Sequence, residues 1–216
     1  MTSEAGLDEF EIPLHERTMV FRAYERRDSL RVVGRLTDVR PWAPGVDVPV
    51  PDGSDAVGVR VRTVHDLELA VSVTMDDFTI SEATATMHTF PHTECPSIEA
   101  AFAGLVGLTV MRGYTRRVQE MFGGPRGCTH LEQLARSLGP VVIQAVTSAR
   151  ARAVSRGELP DLLTSGGNGS PWARDSCHIW AEGSVADQKL EAGWRPGTGS
   201  YPSPPLRYFL DLKRRS

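Results

Sequence analysis

The stretch LELAVSVTMDDFTISEATATMHTF, residues 67–90, decides the fold. Its first half alternates apolar residues, from Leu67 to Met75, with polar or small ones, and its second half returns with an alternation of alanine and threonine. Asp76-Asp77 stands between the two halves as a turn. Alternation with a period of two is typical of a half-buried antiparallel strand pair. The stretch therefore predicts a β-hairpin.

Strands are predicted before the hairpin and helices after it. Residues 18–24 and 30–36 are rich in β-branched and aromatic residues and predict two strands. Residues 97–108 and 114–122 predict two helices, and a longer one is predicted from His130 to about Arg152. This order predicts an α+β fold in which an antiparallel sheet of N-terminal strands packs against C-terminal helices.

Proline and glycine mark the irregular parts of the chain. They concentrate between residues 41 and 58, which we expect to form a loop, and Gly139-Pro140 is expected to kink or split the long helix. We expect a single domain over residues 1–216, with its core at about 18–152. Residues 153–216 are then a C-terminal extension that packs back on this core.

The composition indicates an ordinary globular protein. The chain has 216 residues, of which 40% are hydrophobic and 24% charged, and a formal net charge of -3. No apolar run approaches the ~18–20 residues that span a bilayer, and the polar N-terminus is unlike a secretory signal. The number of cysteines, three, is odd, and it fits a reducing cytoplasm better than a disulfide framework. Basic residues are scattered, so neither a nucleic-acid partner nor a membrane partner is expected.

Every cysteine has a histidine close by in the sequence. The three segments are His92-Thr93-Glu94-Cys95-Pro96, Gly127-Cys128-Thr129-His130-Leu131 and Asp175-Ser176-Cys177-His178. Thiolate and imidazole are the usual ligands of zinc and iron, and they are also the nucleophile and base of thiol catalysis. The pairing predicts a metal site or a reactive-thiol site and leaves both open.

Two of the cysteines are predicted at helix N-termini. Cys95 precedes Pro96, and proline favours the first position of a helix. Cys128 precedes Thr129 and Glu132, which have the spacing of a capping box. The positive end of a helix dipole stabilises a thiolate, which suits a metal ligand and a nucleophile alike.

These cysteine segments, together with others, resemble the DUF2889 proteins, a bacterial family without an assigned activity. The matching segments cover most of the chain: Val64-His65-Asp66-Leu67, residues 90–96, Leu105-Val106-Gly107-Leu108, residues 123–131 and residues 175–178.

A more distant resemblance, over residues 64–150, is to iron–sulfur scaffold proteins of the IscU/NifU/SufU type. In those proteins an aspartate precedes the hairpin, a cysteine opens the next helix, and a cysteine beside a histidine opens the long helix. Here Asp66, Cys95 and Cys128 take these places, and His65 stands where a ligand cysteine is found. The resemblance implies a scaffold-like core with additions at both ends. It also implies a convergent zinc or iron site with the ligands His65, Asp66, Cys95, Cys128 and His130.

The first functional hypothesis is a metal-dependent enzyme of the hydrolase or lyase type that acts on a small organic substrate. His92, Asp175 and His178 are the candidates for general acid or base. The alternatives are a metal or iron–sulfur carrier, a metal-free enzyme that uses Cys128 activated by His130, and a non-catalytic ligand-binding domain. No Rossmann, P-loop or Gly-x-Ser-x-Gly motif is present, which argues against those enzyme classes. Whether the chain forms a homo-oligomer stays open.

Overall fold

The chain divides into two units, residues 1–147 and residues 148–216. The computed structural model describes residues 13–43, 46–49, 57–60, 62–158, 175, 177–194 and 202–215. None of the helices within these ranges has the length and hydropathy to cross a bilayer. The single domain predicted from the sequence stays a prediction.

The described residues form six strands in two antiparallel sheets. The strands are β1 (Glu16–Glu25), β2 (Ser29–Val39), β3 (Val46–Pro49), β4 (Val57–Arg60), β5 (Thr63–Thr74) and β6 (Ile80–Thr89). The main sheet has the strand order β1-β2-β5-β6, and β3 pairs with β4 separately. The predicted hairpin is confirmed as β5 and β6, with Leu67 opposite Met87. Residues 41–58, predicted as a loop, instead contain β3 and the start of β4.

Helices follow the sheet, as the α+β prediction required. They are a 3-10 helix (Cys95–Leu105), α1 (Tyr114–Phe122), a short 3-10 turn (Gly124–Arg126), α2 (Thr129–Ser155), α3 (Val185–Glu191) and α4 (Leu206–Arg215). The long helix is not split at Pro140 as expected: α2 continues through this residue. Pro140 lies on the exposed side of the helix, where water can satisfy the carbonyl of Arg136 that loses its hydrogen bond.

A hydrophobic core joins the main sheet to the 3-10 helix, α1 and α2. Along α2 the buried residues recur at the spacing of one helix face: Leu131, Leu134, Leu138, Val142 and Val146. The sheet contributes the apolar face of its central strands, including Leu36, Leu67 and Leu69. The 3-10 helix and α1 contribute Phe102 and Phe122, whose rings stack with centroids 4.5 Å apart.

The apolar faces of β2 and β5 both end in polar residues at the same end of the sheet. On β2 the alternation that buries Leu36 continues to Asp38, and on β5 His65 comes two residues before the buried Leu67. The strand register sets Arg17 of β1 opposite Asp38, and Asp38 opposite His65. A polar row therefore crosses three strands where the core ends.

Candidate functional site

The carboxylate of Asp38 is the centre of this polar row. Its side chain is only 1% exposed. Arg17 donates to both carboxylate oxygens, from Nε to Oδ1 at 2.7 Å and from Nη2 to Oδ2 at 2.8 Å. The third nitrogen of Arg17, Nη1, donates to Oε1 of Gln133 on α2 at 2.8 Å. A two-point contact of this kind fixes the carboxylate in one orientation.

Three histidines also face this carboxylate. His65 Nδ1 lies 3.0 Å from Oδ2 of Asp38, and His130 Nε2 lies 3.3 Å from the same oxygen. His15 Nε2 lies 3.2 Å from Oδ1. The rings of His65 and His130 lie against each other, with centroids 3.9 Å apart and planes inclined by 34°. Two imidazoles therefore share one carboxylate oxygen.

Cys128 extends this arrangement from the start of α2. It is half-buried, and its Sγ lies 3.7 Å from Nδ1 of His130. The carbonyl of Cys128 accepts the N–H of Glu132 at 2.8 Å, which is the bond that an N-cap residue makes. Cys128, His130 and Asp38 thus form a chain of thiol, imidazole and carboxylate.

Asp38 is a carboxylate at any pH near neutrality. Burial raises its pKa, but the hydrogen bonds and charge of Arg17, with the charges of His130 and His15, outweigh this and lower the pKa to about 2. A buried carboxylate of this kind is stabilised only because its partners are in place.

His130 is held in its neutral form. Burial is the largest cause that lowers its pKa, and the positive charges of His65 and Arg17 lower it further, while Asp38 acts in the opposite direction. A carboxylate only accepts hydrogen bonds, so the nitrogen that faces Asp38 must carry the proton of the neutral ring. Nε2 of His130 is then the donor, and Nδ1 presents its lone pair to Cys128.

Three of the five metal ligands expected from the sequence come together here, namely His65, Cys128 and His130. Asp66 lies on the other face of the sheet, since neighbouring residues of a strand point to opposite sides. There it pairs with Arg35, whose Nε donates to Oδ1 of Asp66 at 2.6 Å.

Cys95 lies outside this cluster and contacts the hydrophobic core. It is the first residue of the 3-10 helix, whose N-cap position belongs to Glu94 instead. Cys95 is half-buried against apolar side chains, and its N–H donates to the carbonyl of His92 at 3.0 Å. His92, a predicted acid or base, is exposed.

The other two predicted acid–base residues belong to the second unit. Asp175 and His178 are both exposed. The Asp175 Oδ1 accepts the N–H of Glu182 at 3.2 Å, and its own N–H donates to the carbonyl of Trp180 at 3.0 Å. The contacts of Asp175 therefore stabilise a local turn.

Sequence reasoning missed Asp38 and Arg17. Asp38 could have been found from the alternation that places Leu30, Val32 and Leu36 on the buried face, because this pattern assigns Asp38 to the same face. A carboxylate at a core position requires a partner, and that requirement is the missed signal. Arg17 carries no comparable signal, because arginines are frequent along this chain.

The chain matches a protein-family model. A family model described as "Protein of unknown function (DUF2889)" matches residues 15–144. The matched region contains all the residues of the cluster: His15, Arg17, Asp38, His65, Cys128 and His130. Asp175 and His178 lie outside it. No curated protein and no solved structure matches the chain, and nothing found supports the resemblance to iron–sulfur scaffold proteins.

Proposed function

The chain belongs to the DUF2889 family, whose description assigns no activity, and we propose from its site that it is a cysteine-dependent enzyme acting on a small organic substrate. Cys128 is the nucleophile, His130 its base, and Asp38 the group that orients the base. The observation that carries this proposal is the contact of Cys128 Sγ with His130 Nδ1 at 3.7 Å, while His130 Nε2 faces Asp38 at 3.3 Å. Nucleophile, base and orienting group in this order define the triads of covalent catalysis.

The protonation states of the cluster suit this role. A base must be neutral before it accepts a proton, and the lowered pKa of His130 keeps its imidazole neutral at neutral pH. The ionised Asp38 then stabilises the imidazolium that forms. The ring needs no reorientation, because Asp38 already fixes its tautomer.

The expected reaction is the transfer of an acyl group through a thioester. The thiol proton of Cys128 moves to Nδ1 of His130, and the sulfur forms a bond to the carbonyl carbon of the substrate. The bond to the leaving group breaks as that group takes the proton from His130, and water then hydrolyses the thioester. The first N–H groups of α2 have no acceptor within the helix, so they are available to the oxyanion.

The surroundings of Cys128 favour a small substrate and a reducing compartment. The thiol is half-buried, so a bulky group has restricted access to it. All three cysteines of the chain are free, and the reaction requires Cys128 as a thiol. A cytoplasmic location is therefore part of this proposal.

Alkylation by iodoacetamide tests the proposal. With the chelator-treated protein at pH 7, we expect Cys128 to react faster than Cys177, although Cys177 is the more exposed. Replacing His130 with asparagine should slow alkylation of Cys128 by at least about tenfold, since a positioned base contributes ~10²–10⁴ in catalysis. Peptide mass spectrometry over time measures each rate separately.

Two controls complete this experiment. The rate at Cys177 should be the same in all variants, and His92→Asn, which changes an exposed histidine, should leave the rate at Cys128 unaltered. Equal rates at the two cysteines, or a Cys128 rate insensitive to His130→Asn in a folded protein, would contradict the proposal.

A further inference from the structure

The same cluster has the composition of a metal centre. We propose that Asp38, His65 and His130 bind one divalent transition-metal ion, of the zinc or iron(II) class. The ligand atoms of these three residues all lie within 4.8 Å of one another. This metal site would be the basis of the metal-dependent chemistry expected from the sequence.

The spacing of the three atoms fits a coordination sphere. Bonds of ~2.0–2.2 Å to nitrogen and oxygen in a tetrahedral site place ligand atoms about 3.4 Å apart. Asp38 Oδ2 already lies 3.0 Å from His65 Nδ1 and 3.3 Å from His130 Nε2. Two of the three separations are therefore already close to those around one ion, and the third lies within 4.8 Å.

The donor set selects the class of ion. Two imidazoles and one carboxylate suit zinc and iron(II), whereas magnesium and calcium prefer oxygen ligands alone. Three protein ligands also leave at least one position open for water or substrate, as catalytic centres do.

Binding changes which nitrogen of each histidine carries its proton. The ion takes the lone pair of His65 Nδ1 and of His130 Nε2, so each bound ring carries its proton on its other nitrogen. Nδ1 of His130 then donates toward Cys128 Sγ, and Arg17 keeps Asp38 oriented. Metal-binding histidines and carboxylates are commonly supported by second partners of this kind.

Metal binding has one consequence for catalysis, and this consequence rests on the proposed thiol function of Cys128. With an ion on Nε2 and a proton on Nδ1, His130 cannot accept the proton of Cys128. The metal-bound state and the thiol-active state therefore exclude each other. Binding of the ion itself does not depend on the thiol function.

Calorimetric titration of the full, chelator-treated chain tests the site. We expect one equivalent of Zn²⁺, and of Fe²⁺ without oxygen, to bind, and Mg²⁺ not to bind. His65→Gln should weaken Zn²⁺ binding by at least about a hundredfold, while His92→Gln and Cys95→Ser, outside the cluster, should bind as the unaltered chain does. Circular dichroism verifies that each variant is folded.

The spectrum of the Co²⁺-loaded protein identifies the ligands independently. Nitrogen and oxygen ligands give visible absorption without a thiolate charge-transfer band. Less than about a tenth of an equivalent of Zn²⁺, a thiolate band, or unaltered binding by His65→Gln would overturn the proposal.

The two proposals fail separately. If Zn²⁺ does not bind, fast alkylation of Cys128 still supports the thiol proposal. If Cys128 is alkylated at an ordinary rate, Zn²⁺ binding still supports the metal site. If both hold, saturating Zn²⁺ should slow alkylation of Cys128 at least about tenfold in the unaltered chain and leave the rate in His65→Gln unchanged. Equal slowing in both proteins would refute the mutual exclusion.

Discussion

Among the described residues, Asp38 is the one carboxylate that contacts both Arg17 and the three histidines of the cluster. The negative charge of Asp38 balances the permanent positive charge of Arg17. Removing the charge of Asp38 would leave a cation beside a buried amide, and breaking a buried pair in this way is strongly destabilising. The same residue that orients the proposed base therefore also supports the fold.

Acid should reveal this contribution of Asp38 to stability. The folded pKa is about 2, and an unfolded aspartate titrates near ~3.9. Because the pKa of Asp38 is lower in the folded chain, the unfolded chain takes up the proton first as the pH falls. The stabilisation by Asp38 is therefore fully present above pH ~4 and is lost as the pH falls toward 2. The difference corresponds to about 2.5 kcal/mol of the free energy of unfolding.

Urea unfolding of the chelator-treated protein at several pH values measures this loss. Asp38→Asn should be less stable than the unaltered chain at pH 7, and the gap should narrow as the pH falls from about 4 to about 2. Thr37→Val, which changes no titratable group, should keep a constant difference from the unaltered chain. A gap for Asp38→Asn that stays the same over this range would contradict the assigned pKa.

At the scale of elements, regular periodicity predicted most of the fold. The β5–β6 hairpin, α1 and α2 follow from apolar residues repeated at the spacing of a strand or a helix. The ladder of β3 and β4 was missed because prolines and glycines dominate that segment. The sequence predicted a helix where the 3-10 helix lies, but no spacing of its residues distinguishes a 3-10 helix from an α-helix.

The sequence predicted only part of the site, because the site depends on where the strands end and on which face of the sheet each side chain lies. The predicted second strand ended at Leu36, so Asp38 was never assigned a face. Asp66 was a candidate only because the resemblance to iron–sulfur scaffold proteins implied it, yet adjacent residues of a strand point to opposite sides of the sheet. Cys128 and His130 were found because a cysteine stands close to a histidine in the sequence, and His65 was implied by the resemblance to scaffold proteins. The carboxylate that His65 and His130 share was not found, because it depends on the pairing of separate strands.

Strand β2 depends on a glycine where an aromatic ring covers it. Phe21 of β1 stands opposite Gly34, and a Cβ on Gly34 would overlap the Phe21 ring. Gly34→Val should therefore lower the free energy of unfolding by ~1–3 kcal/mol, as overpacking does. Urea unfolding measures this, and Thr37→Val on the same strand should change stability by no more than about 0.5 kcal/mol. Equal effects of the two substitutions would argue against the ring contact.

For the whole molecule, all residues of the cluster belong to the first of the two units. Their partner Gln133 lies there as well, although α2 itself continues to Ser155. The first unit therefore contains both proposed activities. Asp175 and His178, in the second unit, have no part in either proposal.

A shortened chain of residues 1–158, which keeps α2 complete, tests this division. We expect it to unfold cooperatively in urea and to keep the alkylation rate of Cys128 within about twofold. Full-length protein serves as the reference. A shortened chain that is unfolded, or that has an ordinary Cys128 rate, would favour the single domain predicted from the sequence, in which the C-terminal extension supports the core.

The contact of Arg17 with Gln133 joins positions 116 residues apart. Other contacts of the cluster join β1 to β2, β2 to β5, and both β2 and β5 to the start of α2, so no local segment can assemble it. Contacts between distant parts of a chain form slowly during folding. In a nascent or misfolded chain, Cys128 would therefore have the reactivity of an ordinary thiol. A raised reactivity of Cys128 would indicate that the strands and α2 have all assembled.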